Sequence, residues 1–157
     1  EVKALLNNAK SPVKAVQKLQ EENSDLQKQI EQLLKDKAQN LSGDLKNQLQ
    51  EINGVQFLAT KIDLDQNGIK NLAFELGKDA NNIFLLFASA PSKDKAMLTC
   101  YISKELTNER NYDAGKVVRE LGKLIHGGGG GQKFYATAGG KNPGGIPKVL
   151  ERAQDYI

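Results

Sequence analysis

Residues 127–140 read GGGGGQKFYATAGG, five consecutive glycines followed by a short apolar run that two more glycines close. Glycine has no Cβ, so such a run lets the backbone take positive φ and brings N–H groups to contact distance of a ligand, as a phosphate or a nucleic-acid backbone requires. Gly144 and Gly145 follow within a few residues. Lys133, Lys141 and Lys148 are interleaved, and from Lys116 to Lys148 six basic residues stand against one acid, Glu120, in a chain whose net charge is only +3. Glycine runs are often linkers. A linker would separate two independently patterned regions, and the stretch after Gly131 is too short for a second core. The glycines are therefore read as a ligand-approaching loop inside one domain.

Immediately upstream, Asp113 caps a helix with Val117, Val118, Leu121, Leu124 and Ile125 on its apolar side. Lys116, Arg119 and Lys123 recur at helical spacing on another face, which runs into His126 and the glycines. Lys133 and Lys141 flank the run, Gln132 lies beside it, and Tyr135 offers a ring on which a base can stack. Nucleic-acid contact is thus assigned to Lys116, Arg119, Lys123, His126, Gly127, Gly128, Gly129, Gly130, Gly131, Gln132, Lys133, Tyr135, Gly139, Gly140 and Lys141. His126 has a second explanation, since an imidazole at a helix C-terminus is also favoured by the helix dipole.

Further out, the pattern alternates strand and helix. Asn53-Gly54 turns the chain and Val55 to Ile62 reads as a strand. Asp65 opens a helix with Ile69, Leu72, Ala73 and Leu76 on one face, closed by Gly77 and Lys78. Ile83 to Ala88, IFLLFA, is apolar throughout and predicts the most buried strand. A turn through Pro91, Ser92, Lys93 and Asp94 leads to a strand from Ala96 to Ile102. After the glycines come a strand at Phe134 to Thr137 and a helix from Pro147 to Tyr156. The order βαββαβα predicts an α/β (α+β) domain with a mixed sheet, its first two strands parallel across the first helix.

From Ser11 to Ile52 the composition changes to Gln, Glu, Lys, Asn and Asp without aromatics. Ser11-Pro12 fits a cap and first-turn proline, and Val16, Leu19, Asn23, Leu26, Ile30 and Leu33 alternate steps of three and four as a and d positions. The register then slips to Leu34, Ala38, Leu41, Leu45 and Leu49, with Gly43 nearby. A helical hairpin turning near Asn40 to Gly43 and one continuous helix with a stutter both fit. So narrow a stripe needs a partner, and Asn23 at an a position favours a paired, register-fixed dimer, the alternative being that the helix packs on its own globular part with Asn23 merely exposed. Two domains are expected, a helical dimerisation part over 1–52 and a globular part over 53–157.

One Cys and one His preclude an internal disulfide, a Cys/His zinc site and a catalytic triad. No apolar run approaches the ~20 residues that span a bilayer, so no membrane partner and a reduced, cytoplasmic setting are expected. The first residue, Glu1, rather than Met, suggests a piece of a larger protein.

The segment from Gly127 to Ala153, with Ala136-Thr137-Ala138-Gly139-Gly140 after the glycine run, resembles the C-terminal domain of alanyl-tRNA synthetases, related to the DHH-associated domain of phosphoesterases. Ile52-Asn53-Gly54-Val55 and the helix from Asp113 to His126 sit where that family has them. One departure is Gln132-Lys133 where the family often has Arg-Pro, which exchanges a bidentate guanidinium for a point charge. The resemblance implies binding to tRNA, specifically tRNA-Ala at its elbow, a contribution to homodimerisation, and service to the remaining domains of a parent alanine-tRNA ligase. It implies no catalysis and no cofactor in this piece, the family's ATP, Mg2+ and Zn2+ belonging to other domains. The substrate-binding domain of a DHH phosphoesterase and a purely dimerising module are the alternatives.

Overall fold

A computed structural model describes residues 11–157, apart from the side chains at 34, 35 and 37–39. The heptad assignments of Leu34 and Ala38 lie outside what is described. The chain divides into two compact units, Glu1–Lys37 and Ala38–Ile157. Helix α1, Pro12–Lys46, enters both. It is one element, with Gly43 inside it, so the hairpin alternative is not adopted.

In the first unit the a/d stripe of α1 is bare. Val16, Leu19, Leu26, Ile30 and Leu33 are between 42% and 67% exposed, and Asn23 is exposed with them. Its ion pairs, Lys18 with Glu22 and Lys28 with Asp25, are solvent-facing and contribute little. In the second unit the slipped stripe has a destination. Leu45 is buried in the core cluster that includes Leu58, Ile62 and Leu72, and Leu41 and Leu49 pack against that cluster. The change of phase along α1 therefore separates an exposed apolar stripe from a buried one.

The expected helical stretch ends before Ile52. Residues Gln50–Ile52 form a short strand, β1, paired antiparallel with β2, Val55–Lys61. The Asn53-Gly54 turn has positive φ at both residues, 54° and 74°, which matches the twist of a two-residue hairpin. Asp65 caps α2, Gln66–Gly77, by accepting from the Gly68 N–H at 2.8 Å. Strand β3, Ile83–Ser92, runs parallel to β2, as the α2 crossover requires. It turns at Lys93 and Asp94 into antiparallel β4, Lys95–Ile102, so Pro91 and Ser92 belong to the strand and not to the turn. A short helix not anticipated from the sequence, α3, spans Lys104–Glu109. Then come α4, Ala114–Leu121, a 3-10 turn to Ile125, β5, Gly127–Gly131, and β6, Tyr135–Gly140. Helix α5, Ile146–Arg152, closes the fold with a 3-10 turn to Tyr156.

The sheet order is β1-β2-β3-β4-β6-β5, a mixed sheet with β5 at one edge. Residues 83–89 of β3 are all buried, because Ile83, Leu85 and Phe87 face one core and Phe84, Leu86 and Ala88 face the other. The first core takes α2 and the end of α1, and the second takes α3, α4 and α5. Strand alternation thus assigns Ala136 and Ala138 to the α4 face and Tyr135 to the α2 face.

Candidate nucleic-acid interface

The five glycines are not a loop. They form β5, antiparallel to β6 in the register Gly127↔Gly140 to Gly131↔Ala136. Of the five only Gly131 has a φ in the region that disfavours side chains, at 156°, so positive φ is not the reason for the run. Close approach is. A Cβ on Gly127 would collide with the Gly139 carbonyl, and one on Gly129 with the Thr137 carbonyl. On Gly131 it would come within 2.6 Å of the Tyr135 carbonyl oxygen. Gly128, Gly130 and Gly139 differ, because a Cβ there meets nothing within 4 Å.

Ladder parity shows where the backbone of β5 points. Gln132 and Tyr135 exchange hydrogen bonds across the turn, at 2.8 and 3.3 Å. Alternation then directs the N–H and C=O groups of Gly128 and Gly130 toward β6 and those of Gly127, Gly129 and Gly131 toward the free edge.

Helix α4 lies along this strand. Asp113 caps it, its carboxylate accepting from the Lys116 N–H at 3.1 Å. The Ala114 N–H donates to the Lys133 carbonyl at 2.8 Å, which pins the β5–β6 turn to the helix start. Gly115 and Gly122, seven residues apart, let the helix approach: a Cβ on Gly115 would lie 3.3 Å from the Gly131 carbonyl oxygen, and one on Gly122 3.5 Å from the Gly128 Cα. At 100° per residue, Lys116, Arg119 and Lys123 share the exposed face of the helix, Arg119 nearest those glycines, and Glu120 stands at the far edge of the same face. All three basic residues are exposed. Glu120 is occupied, accepting from the Tyr156 hydroxyl at 2.9 Å. Burial, and then that hydrogen bond, push the Tyr156 pKa up to about 12.

His126 joins helix to strand in the left-handed conformation, φ 53° and ψ 49°, its N–H donating to the Lys123 carbonyl at 3.1 Å. Its backbone therefore performs a C-capping turn, and its side chain is exposed beside β5. Gln132, Lys133 and Lys141 are also exposed, the first two at the turn and Lys141 just after β6. Among the described residues no ion pair engages Lys116, Arg119, Lys123, Lys133 or Lys141. Gly140 serves packing, since a Cβ would collide with the Ile125 carbonyl.

Tyr135 does not join this group. It lies on the opposite sheet face, its ring 5.4 Å from Phe74, which in turn stands 5.2 Å edge-on to Tyr101. Burial raises the pKa of its hydroxyl. Phe74, 38% exposed, was not singled out in the sequence, where it reads as one more helical apolar residue. Cys100 is buried in β4, and desolvation, with a smaller contribution from Asp113, raises its thiol pKa. It is a core residue and not a reactive one. Among the described residues no helix is long and apolar enough to cross a membrane.

The family model of the DHHA1 domain matches residues 54–157, two thirds of the chain. The chain belongs to the DHHA1 domain family. Over its whole length this DHHA1-containing chain is 55% identical to an alanine–tRNA ligase of Christiangramia forsetii and 41% identical to one of Flavobacterium psychrophilum, spanning 18% of each. Among solved structures it is similar to the C-Ala domain of Aquifex aeolicus alanyl-tRNA synthetase, with a TM-score of 0.63 and 25% identity, over 69% of this chain and 96% of that one. The matched residues take in the glycine strand, the hairpin into Ala136–Gly140 and the helix preceding them.

Proposed function

We propose that this chain is the tRNA-binding C-terminal part of an alanine–tRNA ligase, holding RNA by its backbone while other domains of the parent enzyme perform aminoacylation and editing. The observation that carries this reading is the exposed basic face of α4, Lys116, Arg119 and Lys123, whose one acid, Glu120, is engaged by Tyr156, beside an edge strand built only of glycine. Phosphates pair with the lysines and the arginine, and the bare strand lets a sugar-phosphate backbone approach the outward N–H groups of Gly127 and Gly129. Such contacts carry little sequence information, so tRNA-Ala identity is read elsewhere and A-form shape does most of the recognition here. The benefit to the parent is effective concentration, one bound tRNA serving two sites.

The same proposal gives α1 a second role. Its bare stripe is a homodimer seam in which Asn23 meets its counterpart. The parent works in the cytoplasm, and its ATP, Mg2+ and Zn2+ bind outside these residues. A lone buried Cys100 and an exposed His126 provide no zinc site here.

The test is titration of the chain with tRNA-Ala and with an unrelated tRNA across a salt series, read by fluorescence anisotropy. Binding to both, weakening steeply with salt, is expected. Absence of binding at low salt by a folded sample refutes the proposal and leaves dimerisation as the remaining role.

A further inference from the structure

Three strands reach the same end of the sheet together. Ala96 of β4 pairs with Gly140 of β6, which pairs in turn with Gly127 of β5. One residue past this line stand Lys95, Lys141 and His126, all exposed. Neighbouring strands lie about 4.8 Å apart, so these side chains follow one another across the sheet end at roughly that interval. Beyond Lys95 the β3–β4 hairpin overhangs β6, because its last pair, Ser92↔Lys95, lies outside the β4–β6 ladder. Its turn adds an exposed Lys93 and one acid, Asp94, which is occupied, accepting from the Ser92 hydroxyl at 2.9 Å. On the other side α4 runs along β5 toward this same end, Gly115 lying near Gly131 and Gly122 near Gly128. The 3-10 turn that carries Lys123 then closes at His126.

We infer that the RNA backbone held on α4 continues around this end of the sheet onto the β3–β4 hairpin, where Lys93 and Lys95 take phosphates of further nucleotides and Lys141 bridges the two segments. The inference rests on the RNA reading above and extends its footprint to a hairpin that the glycine strand does not reach. Like charges set side by side on neighbouring strands repel, and among the described residues no ion pair offsets Lys93, Lys95 or Lys141. An anionic polymer supplies the missing charge and gains the release of its own counterions. An acidic protein surface fits less well. From Pro91 to Lys95 the exposed tip has no aromatic or large aliphatic side chain of the kind that protein interfaces bury at their centre. Lysine is a point charge on a flexible stem, which suits phosphates met along a backbone without base readout.

The test uses the whole chain with a tRNA transcript as probe, read by fluorescence anisotropy over a salt series. Lys93→Glu/Lys95→Glu is compared with wild type and with Lys46→Glu/Lys78→Glu, which makes the same change of charge at exposed positions ending α1 and following α2. The hairpin pair is expected to weaken binding about tenfold at low salt and to lower the slope of log K against log salt by about 1.4–1.8, the equivalent of two phosphate contacts. The control pair is expected to stay within about twofold of wild type at equal slope. Lys93→Gln/Lys95→Gln, which removes charge and adds none, is expected to lower the slope likewise and reports independently should the glutamates disturb the hairpin. Hairpin variants that bind as wild type does, while Arg119→Glu binds more weakly, overturn the extension and leave the phosphate reading of α4 standing. Equal losses in the hairpin and control pairs also overturn it, because the RNA then senses net charge and not the hairpin. A folded wild-type chain that binds no RNA overturns both readings together.

Discussion

The Tyr156 hydroxyl donates to Glu120 at 2.9 Å, joining the last turn of the chain to the last turn of α4 and occupying the one acid on that helix. Burial, and then the proton held in this bond, raise the folded-state pKa of Tyr156 from 10.0 to about 12. A raised pKa means that the contribution is fully present below the unfolded value and disappears as pH climbs through the folded one. Thermal stability is therefore expected to fall between pH 10 and 12 more steeply in wild type than in Tyr156→Phe. The site is partly solvated, so at neutral pH the variant should lose under about 1 kcal/mol, the lower part of the range for one hydrogen bond. Melting curves across that pH window check both statements.

Two adjacent glycines of β5 should respond to alanine in opposite ways. At Gly129 the methyl group would collide with the backbone of β6, so Gly129→Ala is expected to cost more than about 2 kcal/mol or to open the edge strand. At Gly128 the methyl points into open space, and Gly128→Ala should be neutral or stabilising by up to about 1 kcal/mol through the lost entropy of glycine. Urea denaturation of the pair measures the contrast. Equal responses would mean that residues 127–131 are not a strand in this register.

Much of the sheet was legible in the sequence because its signals are local. Asp65 before an apolar period of three and four, Asn53-Gly54 between two runs, and the unbroken IFLLFA each determine their own element. Residues 127–131 were misread because a strand shows itself through the alternation of its side chains, and five glycines have none to alternate. Gly115 and Gly122 did carry a signal: seven residues apart on one helical face, they mark where a backbone must come close. Strand β1 escaped because Gln50, Glu51 and Ile52 are too few and too polar for a period, and α3 for the same want of length. The basic flank of α4 was readable from spacing alone. The separation of Tyr135 from it was not, since which face of β6 meets which helix follows from register with β4, and register is a property of the assembled sheet.

Charge reversal on the α4 flank should act on RNA binding and leave folding alone, since Lys116 and Arg119 are exposed and engage no ion pair among the described residues. Each phosphate contact removed lowers the slope of log K against log salt by about 0.7–0.9. Arg119→Glu is therefore expected to weaken tRNA binding several-fold at low salt, with less effect at high salt, and to do so equally for tRNA-Ala and an unrelated tRNA. Unchanged affinity with an unchanged melting temperature would place the phosphates elsewhere.

The stripe of α1 leaves five apolar side chains, Val16, Leu19, Leu26, Ile30 and Leu33, at least 42% exposed, a cost that burial against a second helix would offset at about 25 cal/mol per Å². Asn23 interrupts them at an a position. In a parallel, in-register pair two Asn23 side chains face each other and satisfy one another's hydrogen bonds, whereas any other register sets asparagine against leucine. Asn23→Leu should thus strengthen association while relaxing its specificity, giving larger or mixed species in sedimentation, whereas Leu26→Asp should give monomers. A wild-type chain that sediments as a monomer at high concentration, and variants that match it, would show that the stripe does not pair with a copy of itself.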